Sequence, residues 1–410
     1  RMHFALSNTL STITTCSIDT VDSLLNDRTR ERQTTVADKE PILPPIGVMF
    51  RSFSRTCLVL CGLLAACLLS VGSAQNWPDR DDVYASFIQA GDIELRYKIL
   101  GDCSTRMPLV ITPRGDRGLD NDAILEDFED FMPLQSRFCV ILWDRRNIGG
   151  SEVVYKEGDG EIPEWEHQAH DLKNLLDALG ITEPVICIGE SSGSRTSLNF
   201  AIHYPERVAA LVLMNMTGGF KSVDFLARYY YEKYLEDLRE GGMEKLKDDS
   251  RYEELMKLNP RNEARFDSMD INVVRSVLQG WARHMRNSAT TPTVGSSEEV
   301  IQTVEAKTLL IFDWGLDDEM HTVNVMSRLN RLMPNSKLVV DDNDDADTFL
   351  EELDEEEIEK EIANFILEVA VETGYVSQQE VAVAVTMMDD DWDSDSDSSS
   401  DEELEVLASG

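Results

Sequence analysis

Apolar and polar positions divide the chain into three stretches. Residues 1–48 are polar and show no sustained period, and beyond Ala370 the chain is again polar and strongly acidic. Between Val83 and Ala370, short apolar runs alternate with longer amphipathic segments. Val83–Ala90 and Ile93–Leu100, separated by Gly91-Asp92, predict a hairpin. Pro108–Thr112, Phe138–Trp143, Val185–Ile188, Ala209–Met214, Thr308–Trp314 and Lys337–Val340 are runs of the length and composition of buried strands. Helical spacing recurs between them. Ile124–Gln135 is amphipathic, and Glu164–Leu179 carries Ala169, Leu172, Leu175, Leu176 and Leu179 on one face. Further helices are expected up to His203, through much of Gly218–Pro292 (Asn272–Met285 among them), and at Val323–Met333 and Phe349–Val369. Strand–helix alternation of this kind predicts an α/β protein, a mostly parallel sheet with helices on both faces.

One junction carries chemistry. The strand Val185–Ile188 runs into Gly189-Glu190-Ser191-Ser192-Gly193, and a helical pattern follows. Gly-x-Ser-x-Gly between strand and helix reads as a nucleophile elbow, its rival a glycine-containing turn with no chemistry. The sharp turn strains the central serine, and side chains two positions to either side would collide. Ser191 then stands at the carboxyl end of the sheet. The Ser192 N–H, at a helix N-terminus, faces the place where an oxyanion forms.

With Thr112-Pro-Arg-Gly115, Trp143-Asp-Arg-Arg-Asn-Ile-Gly-Gly-Ser151, Tyr204-Pro-Glu-Arg-Val208 and Trp314-Gly-Leu-Asp-Asp318, the chain resembles the α/β-hydrolase fold family, single-domain and helical-cap type. The resemblance spans Val83 to Ala370 and implies a cap insertion at about 218–300. It implies a second oxyanion N–H from Arg114 or Gly115, though Pro113-Arg114 replaces the usual His-Gly. Arg114 has two other readings, a carboxylate-binding residue and, favoured, a surface arginine. The family pattern puts the triad acid at Asp318, with Asp317 the rival.

The same pattern exposes a gap. The triad histidine belongs on the loop after the last strand, where this chain reads Val340-Asp-Asp-Asn-Asp-Asp-Ala-Asp347, and Ala346 takes its place. No histidine follows His321. A serine hydroxyl without a base is a poor nucleophile at neutral pH. His321, three residues after Asp318, is a displaced base if it reaches Ser191. The reading favoured from sequence makes it the start of the next helix, touching no nucleophile. Two functions therefore stand: a serine hydrolase of an ester or similar small acyl substrate, and a catalytically inactive homologue binding a ligand or a protein.

Charge and cysteines narrow the setting. Of a net charge of −39, residues 341–410 supply most, with 26 acidic side chains against one lysine. Such a chain repels nucleic acid. Met49, Arg51 and Arg55, the apolar Cys57–Leu69 and the small residues Val71–Ala74 read as a signal peptide; its rival is an uncleaved membrane anchor over 57–74. The expected localisation is the secretory pathway or the cell exterior. Residues 1–48 read as a leader or upstream sequence, and 371–410 as a disordered acidic tail. Cys139 and Cys187 lie in core strands, and the odd remainder gives no disulfide framework. His167 and His170 have ligand-pair spacing but no carboxylate or cysteine cluster beside them, so no metal or other cofactor is expected. Tyr229, Tyr230, Tyr231 and Tyr234 in the cap have two readings, pocket lining and, favoured, packing against the core.

Overall fold

The computed structural model describes residues 84–119, 132, 135–313, 318–341, 352–353 and 355–383. The leader, the apolar run 57–74, the helix expected from Ile124, Asp317 and Ala346 lie outside them. The nine strands are β1 Ser86–Ala90, β2 Ile93–Leu100, β3 Met107–Thr112, β4 Phe138–Trp143, β5 Val185–Glu190, β6 Val208–Met214, β7 Lys307–Phe312, β8 Ser336–Asp341 and β9 Glu352–Leu353, all in one sheet among the described residues. Their order is β1-β2-β4-β3-β5-β6-β7-β8-β9. The β1–β2 and β2–β4 pairs are antiparallel and the remaining pairs parallel.

Strands β3, β4 and β5 are buried along their whole length, which explains their unbroken apolar runs. Their side chains alternate between two cores. On one face Val110, Ile141 and Cys187 pack with Leu172 of α1 (Glu164–Ala178) and Leu198 of α2 (Ser192–His203). The other face carries Leu109, Val140 and Ile186 against Ile362 and Ile366 of the closing helix, Glu355–Glu372. Between β6 and β7 lie α3 (Gly219–Ala227), a π-helical turn at Arg228–Glu232, α4 (Lys233–Lys247), α5 (Ser250–Leu258), α6 (Arg261–Asp267), α7 (Ile271–Asn287) and the short α8 (Glu298–Ile301). Then come α9 (Val323–Leu332) and the closing helix, α10. The insertion has its own apolar cluster, with Tyr231, Tyr234, Tyr252, Phe266 and Trp281 buried in it. Asn262 ties it to the turn after β4, donating to Ser151 O at 2.8 Å and accepting from Val153 N at 3.1 Å.

Three expectations need correction. Cys103 and Cys139 form a disulfide; the loop after β2 brings their Cα atoms to 5.0 Å, a proximity the cysteine count did not reveal. The closing helix starts at Glu355 rather than Phe349, because Glu352–Leu353 adds a parallel strand to β8. Residues 371–383, assigned to the tail, continue the domain: Val376 is buried in the core and Arg137 pairs with Glu380. Among the described residues no helix is long and apolar enough to cross a membrane.

Candidate active site

Following β3 the chain crosses to β4 on one side, and β5 returns on the other. The crevice at the carboxyl ends of β3 and β5 is thus a topological switch point, where α/β sheets place ligands. Ser191 sits there with φ 52° and ψ −109°, a left-handed strain that its neighbours maintain. Its N–H bonds Met214 O at 2.9 Å. The Ser194 hydroxyl donates to Gly189 O at 2.5 Å and accepts from Met214 N at 2.9 Å, stitching the elbow to β6. Both glycines are sterically required. A Cβ at Gly189 would lie 2.5 Å from Gly193 C, and one at Gly193 would lie 1.9 Å from Thr112 O. Gly193→Ala is therefore expected to destabilise the fold by about 3 kcal/mol or more, since backbone must move. Urea denaturation monitored by circular dichroism checks it.

His321 does reach Ser191. Its Nε2 is 2.8 Å from Ser191 Oγ, and its Nδ1 is 2.9 Å from Asp318 Oδ2. The expectation that His321 begins a helix fails for a local reason. Asp318 Oδ1 accepts from the Met320 and His321 N–H groups at 2.6 and 3.1 Å, closing a turn. His321 then forms an isolated antiparallel bridge with Thr217, and α9 starts only at Val323. Burial pushes the His321 imidazole below its ordinary range; the Asp318 hydrogen bond and charge oppose this, and Arg114 adds to the lowering. Burial alone would raise the Asp318 carboxyl, but hydrogen bonds from His321 and the Met320 N–H outweigh it and hold the acid below its usual value. The result is a neutral base beside an ionised acid at neutral pH.

The oxyanion side is braced from below. Arg145 is fully buried, and its Nη2 donates to Pro113 O at 2.9 Å and Gly115 O at 2.7 Å. Its Nη1 donates to Ser192 Oγ at 3.1 Å, and that hydroxyl donates to Gly115 O at 3.1 Å. Because a trans peptide points its C=O and N–H oppositely, anchoring Pro113 O turns the Arg114 N–H the other way. Burial pushes Arg145 down to about 10, with Arg195 adding to the effect against Tyr230 and Glu164. The Arg114 side chain, partly exposed, pairs with Glu190, the residue before Ser191, at 2.6 Å.

The remaining candidates are structural. His167 Nε2 bonds Asp159 O at 3.0 Å and His170 Nδ1 bonds the Tyr204 hydroxyl at 2.7 Å. No group of three metal-ligating side chains occurs among the described residues. Tyr230, Tyr231 and Tyr234 pack in the cap cluster, and the Tyr230 hydroxyl also approaches Gly115 and interacts with the Ser192 hydroxyl. Sequence reasoning missed Arg145 and Arg195. The available signal was their placement, one cation in the turn right after the β4 run and one in the first turn of the helix that follows Ser191.

A family model of the alpha/beta hydrolase fold matches residues 123–353. The 2-hydroxy-6-oxo-6-phenylhexa-2,4-dienoate hydrolase of Comamonas testosteroni is 30% identical over 195 residues, covering 44% of this chain and 61% of that protein. The chain therefore spans less than two thirds of that relative's length. A 2-hydroxy-6-oxononadienedioate/2-hydroxy-6-oxononatrienedioate hydrolase of Paraburkholderia phymatum is 32% identical over 214 residues, covering 50% of this chain and 68% of its own. Among solved structures, a thermophilic esterase from Thermogutta terrifontis aligns with a TM-score of 0.45 at 20% identity, over 70% of this chain and 99% of that one.

Proposed function

Because this chain belongs to the α/β-hydrolase fold family, we propose that it is a serine hydrolase of a small acyl substrate, with Ser191 as nucleophile, His321 as base and Asp318 as the acid orienting that base. The observation that carries the reading is the pair of hydrogen bonds running from Ser191 Oγ through the imidazole to Asp318, at 2.8 and 2.9 Å. In the first step Ser191 Oγ attacks the carbonyl carbon and passes its proton to His321 Nε2. The developing oxyanion is met by the Ser192 N–H and the Arg114–Gly115 segment, whose shape Arg145 holds. Asp318 stabilises the imidazolium, which gives its proton to the leaving group. Water then repeats the sequence on the acyl-enzyme, with His321 again as base. The alternative reading, a non-catalytic binding module, was drawn from the missing base, and the hydrogen bond between His321 and Ser191 favours the catalytic reading over it.

The chain is further proposed to work in the secretory pathway or outside the cell. Supports are the apolar run Cys57–Leu69 with the small residues before Gln75, and the Cys103–Cys139 bond, a linkage that persists in oxidising compartments. Residues 57–74 would hold it to a membrane if retained.

Fluorophosphonate labelling tests the hydrolase. Wild-type protein is expected to label and Ser191→Ala to remain unlabelled. Because burial lowers the imidazole in the fold, the labelling rate should decline on the acidic side at a lower pH than for an ordinary histidine, as His321 takes a proton. A folded wild-type protein that does not label, or equal labelling of Ser191→Ala, sinks the reading.

A further inference from the structure

The helix behind the nucleophile carries a cation with no counter-ion. Arg195 lies four residues after Ser191, to whose carbonyl its N–H donates at 3.1 Å, and three after Ser192. The three-residue spacing puts Arg195 on the Ser192 side of the first turn of α2. The Arg195 residue is only 4% exposed, and its Nε and Nη1 are buried without a hydrogen-bond partner. Its guanidinium lies over the Trp165 ring, 5.6 Å from the centroid. A ring quadrupole replaces only part of the lost hydration.

Other arginines near the site are neutralised. Arg146 forks onto Asp171 at 2.6 and 2.8 Å, Arg96 meets Asp144 at 3.1 Å, and Arg114 meets Glu190 at 2.6 Å. Arg195 has no carboxylate within 4.0 Å among the described residues, and the bonds of Arg145 go to neutral oxygens. The two cations act on each other unfavourably through a dry interior. Glu164, the buried carboxylate that acts on Arg145, accepts from the Tyr231 hydroxyl at 2.8 Å and makes no ion pair with either arginine. The Tyr230 hydroxyl approaches Gly115, and Tyr230 is close enough to Arg195 to feel its charge.

A buried, unpaired guanidinium beside a reactive serine is a site waiting for an anion. We propose that Arg195 binds a carboxylate of the substrate, so that this hydrolase acts on small acyl compounds bearing a second, free acid group. The subsite lies beyond Ser192 on α2, under the cap residue Tyr230. The assignment rests on the Ser191 reading for its meaning in turnover, but binding itself does not require catalysis. A planar guanidinium fork matches a carboxylate with two parallel hydrogen bonds, which gives orientation as well as attraction.

Titration calorimetry with glutarate, its neutral diamide and inorganic phosphate tests the subsite in the full chain. Wild type and Ser191→Ala should bind glutarate alike, and the diamide at least about tenfold more weakly. Arg195→Met should weaken glutarate at least about tenfold, with Arg195→Lys between the two. Without ligand, Arg195→Met should melt above wild type, because an unpaired buried charge has been removed. Arg195→Gln serves if the methionine variant does not fold. Glutarate binding that is absent in wild type, or unchanged in Arg195→Met, overturns the proposal. Tighter, Arg195-dependent binding of phosphate overturns the carboxylate assignment. Arg195-dependent glutarate binding in a protein whose Ser191 does not label would sustain the subsite while sinking the hydrolase.

Discussion

A His321→Ala variant is expected to lose on the order of 10⁴-fold or more in kcat, with KM little changed and fluorophosphonate labelling of Ser191 abolished over the usual reaction time. The argument is proximity. No other histidine is bonded to Ser191 among the described residues, and the single imidazole at 2.8 Å is the group positioned to take its proton. Alanine at 321 keeps the backbone bridge to Thr217, so the loss is chemical rather than architectural. A melting temperature close to wild type is part of the expectation. Labelling at the wild-type rate would show that another group activates the serine, and the reading would fall.

Asp318→Asn should lower kcat by roughly 10³- to 10⁴-fold, the second-largest effect. Asparagine can keep the turn, because its carbonyl oxygen still accepts from the Met320 and His321 N–H groups. What it removes is the charge at Nδ1. The carboxylate fixes the tautomer with a proton on Nδ1 and a lone pair on Nε2, facing Ser191. An amide can donate to Nδ1 instead and turn the imidazole into the wrong tautomer. Asp318 also raises the His321 pKa against burial. Without it the acidic limb of the rate profile should move to lower pH, even as the plateau falls. An unchanged pH profile with a full plateau rate would count against Asp318 as the orienting acid.

What could be read in the sequence follows from where the constraints lie. The elbow was legible because backbone sterics dictate its letters: Gly189 meets Gly193, and Gly193 meets Thr112 O. The parallel strands were legible because burial on both faces forces continuous apolar runs. The place of His321 was not, because its partner is 130 residues away and the spacing suggested only a helix start. A turn closed by one aspartate side chain decided the matter. Buried arginines went unread for a similar reason. Arginine is mostly a surface residue, and only the packed cap reveals that Arg145 and Arg195 are enclosed. The Cys103–Cys139 bond depends on a loop that no count of cysteines describes.

His321 and Asp318, the proposed base and acid, lie three positions apart on one turn. Their mutual geometry is therefore a local property, with almost no loop to close and little chain entropy to overcome. Only one long-range relation, that between this turn and the elbow, has to be met for the relay to assemble. In a triad whose base follows the last strand there are two such relations, and the strand must hold its register for chemistry to survive. On the proposed triad, the connection after β8 has no such duty. Insertions, deletions and accumulated charge between Asp341 and Glu352 can then be tolerated by the reaction, so that stretch of chain is open to drift or to recruitment for another task.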